Sequence, residues 1–237
     1  MVESEVSPRD EAAFDEYAAD YDAALNQGIA VSGEDKYFFA KGRVEWLAKC
    51  LAWYQYKPKR VLDFGCGTGS STPFLLDVLG ADSVVGVDIS AKLVKIAQES
   101  YGSARAQFAR MADYQPNAQF DLAFCSGVFH HIPLYQRATS LKYIFDSLRP
   151  GSLFALWENN PWNLGTRYVM AHIPFDKGAI TLSPPTAQRL LQSGGFRVLR
   201  TDFLFIFPKM LAPLRAIEPA LSRLPLGAQY QVLGRKS

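Results

Sequence analysis

Residues 61–72, VLDFGCGTGSST, combine the end of an apolar strand with a tight turn that leads into a helix. The run at 60–64 predicts a buried strand, and Gly65, Gly67 and Gly69 follow it in a GxGxG spacing. Glycines let a backbone pass close to a ligand, and a helix N-terminus offers free N–H groups to negative charge. The same glycines also suit a purely structural turn. The acidic residues nearby therefore decide between a structural turn and a ligand-binding turn.

Two acidic residues accompany this turn. Asp63 precedes the first glycine by two positions, and the spacing differs from the GxGxxG of dinucleotide-binding enzymes. Asp88 ends the next predicted strand, SVVGVD at 83–88, where a carboxylate can accept hydrogen bonds from both ribose hydroxyls of a nucleoside. Asp88 could instead cap the following helix, but Ser90 already suits that role. The pattern predicts a nucleoside site at the ends of two neighbouring strands.

Strands and helices alternate along most of the chain. The predicted strands are 60–64, 83–88, 104–110, 120–125, 152–158, 196–207 and 228–236. The predicted helices are 10–25, 35–56, 70–79, 90–101, 134–148 and 186–193. This alternation predicts right-handed βαβ units in a parallel sheet. Only about 20 residues join the last two strands, a length that allows antiparallel pairing.

Composition places the chain among ordinary globular proteins. Its 237 residues are 49% hydrophobic and 20% charged, and the net charge of +2 gives no reason to expect nucleic acid. Cys50, Cys66 and Cys125 are widely spaced, which predicts reduced thiols in a cytoplasmic protein and no metal site. The acidic start predicts no signal peptide, and apolar runs such as FLFIF at 203–207 are too short to be a transmembrane segment.

Four motifs carry a family resemblance. VLDFGCGTG, GVDIS, FDLAFCSGVFHHI and LRPGSLFALWE, in this order, resemble the successive motifs of class I S-adenosylmethionine-dependent methyltransferases, and the similarity runs from about residue 14 to 158. The resemblance implies an α/β, Rossmann-like, doubly wound sheet of seven mostly parallel strands, with helices on both faces and the last strand antiparallel. It implies S-adenosylmethionine as cofactor and S-adenosylhomocysteine as product. We expect a single domain over 1–237: a helical cover at 1–56, a cofactor-binding half at 57–158, and a substrate-side segment with the carboxy-terminal strands at 159–237.

The resemblance also implies roles for residues around the cofactor. The loop glycines are Gly65, Gly67 and Gly69; Asp88 binds the ribose, Ile89 packs on adenine, Asp63 lies near the methionine amino group, and Cys125 and Ser126 lie beneath the methionine part. Tyr17 and Tyr21 resemble a helix that folds over the cofactor, although a core-facing stripe explains them equally well.

One motif departs from the family pattern. Many relatives have Gly-Asp after strand three, where the Asp contacts the adenine amino group, whereas this chain reads ARMADY. Either Met111 or Asp113 therefore takes that place, and we favour Asp113.

Three residues are candidates for acid–base catalysis. His130 and His131 follow the fourth strand, and Glu158 ends the fifth, all at the edge where such sheets place reactive groups. Each also has a structural explanation, as a packed or capping side chain. The proline-rich segment 159–185 has the character of a substrate lid; it contains Trp162, Arg167, His172 and Asp176, without individual roles.

The carboxy-terminal stretch 203–226 combines an apolar stripe with basic residues. Pro213 and Pro219 interrupt it, so we expect short helical turns packed against the sheet, with Lys209, Arg215 and Arg223 facing outward. Core or dimer packing and a greasy or membrane-facing surface both explain the stripe, which leaves a monomer or homodimer and weak peripheral membrane contact as alternatives.

The function expected from these features is in-line transfer of a methyl group to a small or lipid-linked acceptor. The alternatives are a nicotinamide-dependent oxidoreductase and a non-catalytic cofactor-binding protein.

Overall fold

The protein is described by a computed structural model that covers residues 15, 18, 20–176 and 178–237. These residues form a seven-stranded sheet in the order β3-β2-β1-β4-β5-β7-β6. The strands are β1 Arg60–Phe64, β2 Ser83–Asp88, β3 Ala106–Arg110, β4 Phe120–Ser126, β5 Leu148–Asn159, β6 Phe196–Leu204 and β7 Gln229–Lys236. β1 to β5 pair in parallel, and β7 is antiparallel to both β5 and β6. The predicted fold class, including the antiparallel last strand, is confirmed.

Helices cover both faces of this sheet. They are α1 Tyr21–Ile29, α2 Lys36–Trp53, α3 Thr72–Asp77, α4 Ala91–Tyr101, α5 Arg137–Ser147, α6 Leu164–His172, α7 Pro184–Ser193 and α8 Glu218–Leu221. Because side chains alternate along a strand, Leu62 and Phe64 of β1 pack in one buried cluster, whose other members include residues of α5 and α7. Val61 faces the opposite side and packs in a second cluster with residues of α2 and α3.

Local chemistry explains where several elements begin and end. Ser90 caps α4, since its Oγ accepts a hydrogen bond from the Leu93 N–H at 3.1 Å. β6 ends at Leu204, earlier than the predicted limit of 207, because Phe205 adopts a left-handed conformation with φ of 61° that breaks the strand. The amino-terminal helix is described from Tyr21 onward, and Tyr17 lies outside the described residues.

The carboxy-terminal stretch follows the expected short turns but not the expected orientation. A 3-10 segment, Lys209–Ile217, contains Pro213 and precedes the single turn of α8. The expectation that Arg215 faces outward is wrong: its guanidinium contacts Glu34 Oε1 at 2.8 Å and donates to the Phe207 carbonyl at 3.0 Å. Leu214 and Ile217 instead are exposed, because the inward arginine turns that face of the segment toward solvent. No helix in the described part of the chain is long and apolar enough to cross a membrane.

Candidate active site

The glycine turn lies at the carboxyl ends of β1 and β2. Gly65 and Gly67 have φ values of 71° and 53°, a region that favours glycine. A Cβ on Gly65 would lie 2.3 Å from Val128, so a side chain there would displace the loop after β4. Two adjoining cavities among the described residues, of about 410 and 150 Å³, share Gly65, Gly67 and Ser126 in their walls. The turn therefore separates two compartments of one site.

The smaller cavity contains the carboxylate predicted to bind ribose. Asp88 is buried; its Oδ2 accepts the Gly67 N–H at 2.9 Å and its Oδ1 accepts the Ser90 N–H at 3.0 Å. Burial raises the pKa of Asp88, against the effect of these N–H groups, which favour the charged form. Each carboxylate oxygen can accept a second hydrogen bond, so capacity for two hydroxyl groups remains. The wall also includes Ile89 and Met111.

Asp113 lies away from this wall. It lines neither cavity, and its carboxylate is 66% exposed and 3.2 Å from Arg110 Nε. A 3-10 turn, Met111–Asp113, directs Met111 into the smaller cavity instead. Of the two alternatives for the adenine contact, the geometry favours Met111 and not the expected Asp113.

The polar end of the larger cavity contains a buried carboxylate with an unused oxygen. Asp63 Oδ2 has no hydrogen-bond partner among the described residues. Burial and the charge of Asp88 raise the pKa of Asp63 to about 7, although the Arg43 guanidinium acts to lower it. A buried unpaired acceptor is costly unless a ligand satisfies it. An ammonium group such as that of the methionine part of S-adenosylmethionine fits this position.

Polar contacts hold helix α1 over the glycine turn. Asp22 accepts a hydrogen bond from Thr68 Oγ1 at 3.0 Å and forms an ion pair with Lys36. Tyr21 stacks on Phe175 with ring centroids 4.7 Å apart, and both rings line the larger cavity. A Cβ on Gly67 would meet the Tyr21 ring at 3.9 Å, so the ring lies directly over the turn. Tyr21, which we expect to cover the cofactor, therefore lines both cavities.

The three candidate acid–base residues meet behind this cover. His130 Nδ1 lies 2.6 Å from Glu158 Oε2, and Glu158 Oε1 accepts the Phe129 N–H at 2.8 Å. On the other side of the His130 ring, Nε2 lies 3.5 Å from Asp176 Oδ1. Burial opposes a charge on His130, but the Glu158 and Asp176 carboxylates outweigh it and raise the pKa to about 10. His130 is therefore an imidazolium held between two carboxylates at neutral pH.

His131 differs from its neighbour in charge. Its Nε2 lies 3.3 Å from Asp176 Oδ1, and burial lowers its pKa, so the ring is neutral at physiological pH. One atom each of His130, His131 and Asp176 lie within 4.8 Å of one another, a spacing that metal sites also show. Hydrogen bonds and ion pairs among the three side chains also account for this spacing.

The remaining predicted residues are placed unequally. Ser126 lines both cavities, whereas Cys125 and Glu158 are buried behind the walls, and Gly69 packs against α4. Sequence reasoning missed Arg43, which lines the larger cavity and hydrogen-bonds to Gln229 at 3.1 Å. It occupies the same helical stripe as Phe39 and Trp46, and a charge at a buried stripe position is the signal that could have revealed it.

Comparisons with known proteins agree with this geometry. A family model described as a methyltransferase domain matches residues 61–151. The trans-aconitate 2-methyltransferase of Rhizobium leguminosarum bv. trifolii (strain WSM2304) is 31% identical over 109 residues, 46% of this chain and 41% of that protein. An O-methyltransferase of Aspergillus sclerotiorum is 32% identical over 155 residues, 60% of this chain and 56% of that protein. The chain thus spans about half the length of these curated relatives.

A solved structure extends the likeness in fold over nearly the whole chain. An S-adenosylmethionine-dependent methyltransferase of Thermotoga maritima superposes on this chain with a TM-score of 0.65 at 18% identity. The superposition covers 96% of this chain and 100% of that one. Residues 61–151 therefore match the methyltransferase-domain family, and the chain has the class I, Rossmann-like fold of S-adenosylmethionine-dependent methyltransferases, which implies S-adenosylmethionine as cofactor.

Proposed function

We propose that this protein transfers a methyl group from S-adenosylmethionine to an oxygen, nitrogen or carbon atom of a small or lipid-linked acceptor. The unpaired, buried oxygen of Asp63, beside the glycine turn and in a cavity that extends well beyond it, is the observation that carries the proposal. When bound, the cofactor supplies a sulfonium-activated methyl group, whose S–C bond breaks with its electron pair left on sulfur as the acceptor atom attacks. The cavity holds donor and acceptor in line, and alignment alone can supply roughly 7–11 kcal/mol of a reaction barrier.

The chain's own residues hold the cofactor by complementary groups. Asp88 accepts hydrogen bonds from the ribose hydroxyls, and Ile89 and Met111 pack on the adenine. Asp63 pairs with the amino group at the other end, and Arg43 favours the ionised carboxyl by opposing the rise in its pKa. Tyr21 closes the site from above, which excludes water from the reacting atoms.

Acid–base roles divide between the two histidines. His131 lines both cavities and is neutral, so it is the candidate to take a proton from a hydroxyl acceptor. Asp176 orients the His131 ring, since Asp176 Oδ1 lies 3.3 Å from His131 Nε2. His130 is already protonated, so it contributes positive charge and fixes Asp176. Glu158 acts as a positioning residue, since it contacts His130 without reaching the cavity.

The relatives support a small acceptor. Those from Rhizobium leguminosarum and Azoarcus sp. (strain BH72) act on trans-aconitate according to their names, and trans-aconitate is a small molecule. Their matched regions cover only 41% and 44% of those proteins, so the particular acceptor is not carried over.

A labelled-methyl assay tests the proposal. Purified protein, radiolabelled S-adenosylmethionine and a protein-free extract of small molecules and lipids should yield labelled product and S-adenosylhomocysteine. The Asp88→Ala variant, which lacks the ribose contact, is the matched control and should transfer far less label. Cofactor binding without any transfer of label to the extract would contradict the proposal and leave a cofactor-binding protein.

A further inference from the structure

The larger cavity changes character with distance from the cofactor residues. Beyond Asp63 and the glycine turn, α2 contributes Phe38 and Phe39 to its wall, and the segment after β6 contributes Phe205 and Phe207. The Phe39 and Phe205 ring centroids are 4.9 Å apart, and those of Phe38 and Phe39 are 5.3 Å apart. We call these four residues the aromatic wall. Rings at such spacing form an apolar surface suited to another ring.

Two unusual backbone features accompany the position of Phe205 in this wall. Phe205 is in the left-handed region with φ of 61°, where a bulky side chain is rare. Gly42 lies within α2, where glycine weakens a helix, and a Cβ at that position would lie 2.8 Å from Phe205 Cε1. Both features concern the Phe205 ring. Backbone strain such as that at Phe205 clusters at ligand sites.

Carboxylates and guanidinium groups both line the cavity. Four carboxylates line it among the described residues: Asp22, Glu34, Asp63 and Asp176. Arg215 is committed to Glu34 at 2.8 Å and lies 4.5 Å from the centre of the Phe38 ring. Arg43 acts on Asp63, and His130 lies between Glu158 and Asp176. Arg43 Nε and Arg215 Nη2 remain buried without a hydrogen-bond partner among the described residues, so a polar atom of the acceptor can satisfy one of these donors.

The route from solvent is apolar as well. Val31 lines the cavity and is 63% exposed, so the cavity reaches the surface beside it. The neighbouring loop packs on the 3-10 segment, since a Cβ on Gly33 would lie 2.8 Å from Lys209 Cβ. That segment exposes Met210, Leu211 and Leu214 to solvent.

We propose that the acceptor side of this cavity takes a ring-bearing, mostly apolar small molecule, held against the aromatic wall, rather than an acyclic one such as trans-aconitate. The inference rests on the proposed function for the position of the acceptor. It adds the chemical class of the acceptor, which differs from the trans-aconitate in the names of the relatives.

Calorimetry with two probes tests the inference. 2-Naphthol, a neutral ring with one hydroxyl, should bind the protein saturated with S-adenosylhomocysteine, and trans-aconitate should not bind. Phe39→Ala should weaken 2-naphthol binding by about tenfold, because it removes one ring of the wall. Gly42→Ala should weaken it too, by pushing the Phe205 ring into the cavity. Tyr135→Ala, an exposed ring outside both cavities, is the control and should leave the affinity unchanged.

The outcomes separate the inference from the function on which it rests. The affinity of each variant for S-adenosylhomocysteine is measured first, and an unchanged value shows that the variant is folded. Binding of trans-aconitate in place of 2-naphthol, or 2-naphthol binding that folded Phe39→Ala and Gly42→Ala variants retain in full, overturns the inference alone. Absence of S-adenosylhomocysteine binding in the unmodified protein would instead contradict the proposed function.

Discussion

The buried carboxyl of Asp63 makes cofactor affinity depend on pH near neutrality. Its pKa in the free protein is raised to about 7 by burial and by the charge of Asp88. The carboxyl is therefore about 0.9 ionised at pH 8 and about 0.09 ionised at pH 6. An ammonium group binds the ionised form, so affinity for S-adenosylhomocysteine should fall by about tenfold from pH 8 to pH 6, or about 1.4 kcal/mol. Burial raises the pKa of Asp88 as well.

Isothermal titration calorimetry at half-unit intervals between pH 6 and pH 8 measures this dependence. Asp63→Asn carries no titrating group at that position, so its affinity should be weak throughout and should change less with pH. Buffers with different ionisation enthalpies report proton release directly, and release should be largest below pH 7. An affinity of the unmodified protein that is equal at pH 6 and pH 8 would refute the assignment of Asp63 to the amino group.

Three further predictions concern neighbouring residues. Asp88→Ala should weaken S-adenosylhomocysteine binding by about 10–100-fold in calorimetry, because it loses a charged acceptor of two hydrogen bonds, and an unchanged affinity in a folded variant would remove Asp88 from the site. Arg43→Gln should move the midpoint of the pH dependence upward, since the guanidinium lowers the pKa of Asp63; a midpoint that stays in place or moves down would show that the two residues do not interact. With a hydroxyl acceptor, at least one of His130→Ala, His131→Ala and Glu158→Gln should reduce turnover by about 100-fold while cofactor affinity is kept, and three near-normal rates would place the base elsewhere.

The fold was predictable because the local patterns agree with one another. The apolar runs at 60–64 and 83–88 coincide with β1 and β2 as the structure has them, and Ser90 caps α4 as its position before an apolar helix suggests. Glycine at positive φ explains the turn at Gly65 and Gly67. The end of β6 was harder, because Phe205 adopts a left-handed conformation that is rare for a bulky residue, and its ring packs against Gly42, far away in sequence.

The position of a site residue was predictable only where that residue lies at the end of a strand. Asp63 and Asp88 lie where the turn and the strand place them. Asp176, by contrast, reaches His130 and His131 from a segment whose sequence fixes no regular structure. Arg215 turned inward because Glu34 and the Phe38 ring, both distant in sequence, offer it partners. Contacts between distant segments are not encoded in local periodicity, so the acceptor side could not be derived in the same way.

The most direct test of the central claim is calorimetric titration of the unmodified protein with S-adenosylhomocysteine and, separately, with NADH at pH 8. S-adenosylhomocysteine should bind at one site with a micromolar dissociation constant and raise the melting temperature, because a ligand that binds only the native state stabilises it. NADH should give no heat of binding. Binding of NADH with no response to S-adenosylhomocysteine would contradict the account.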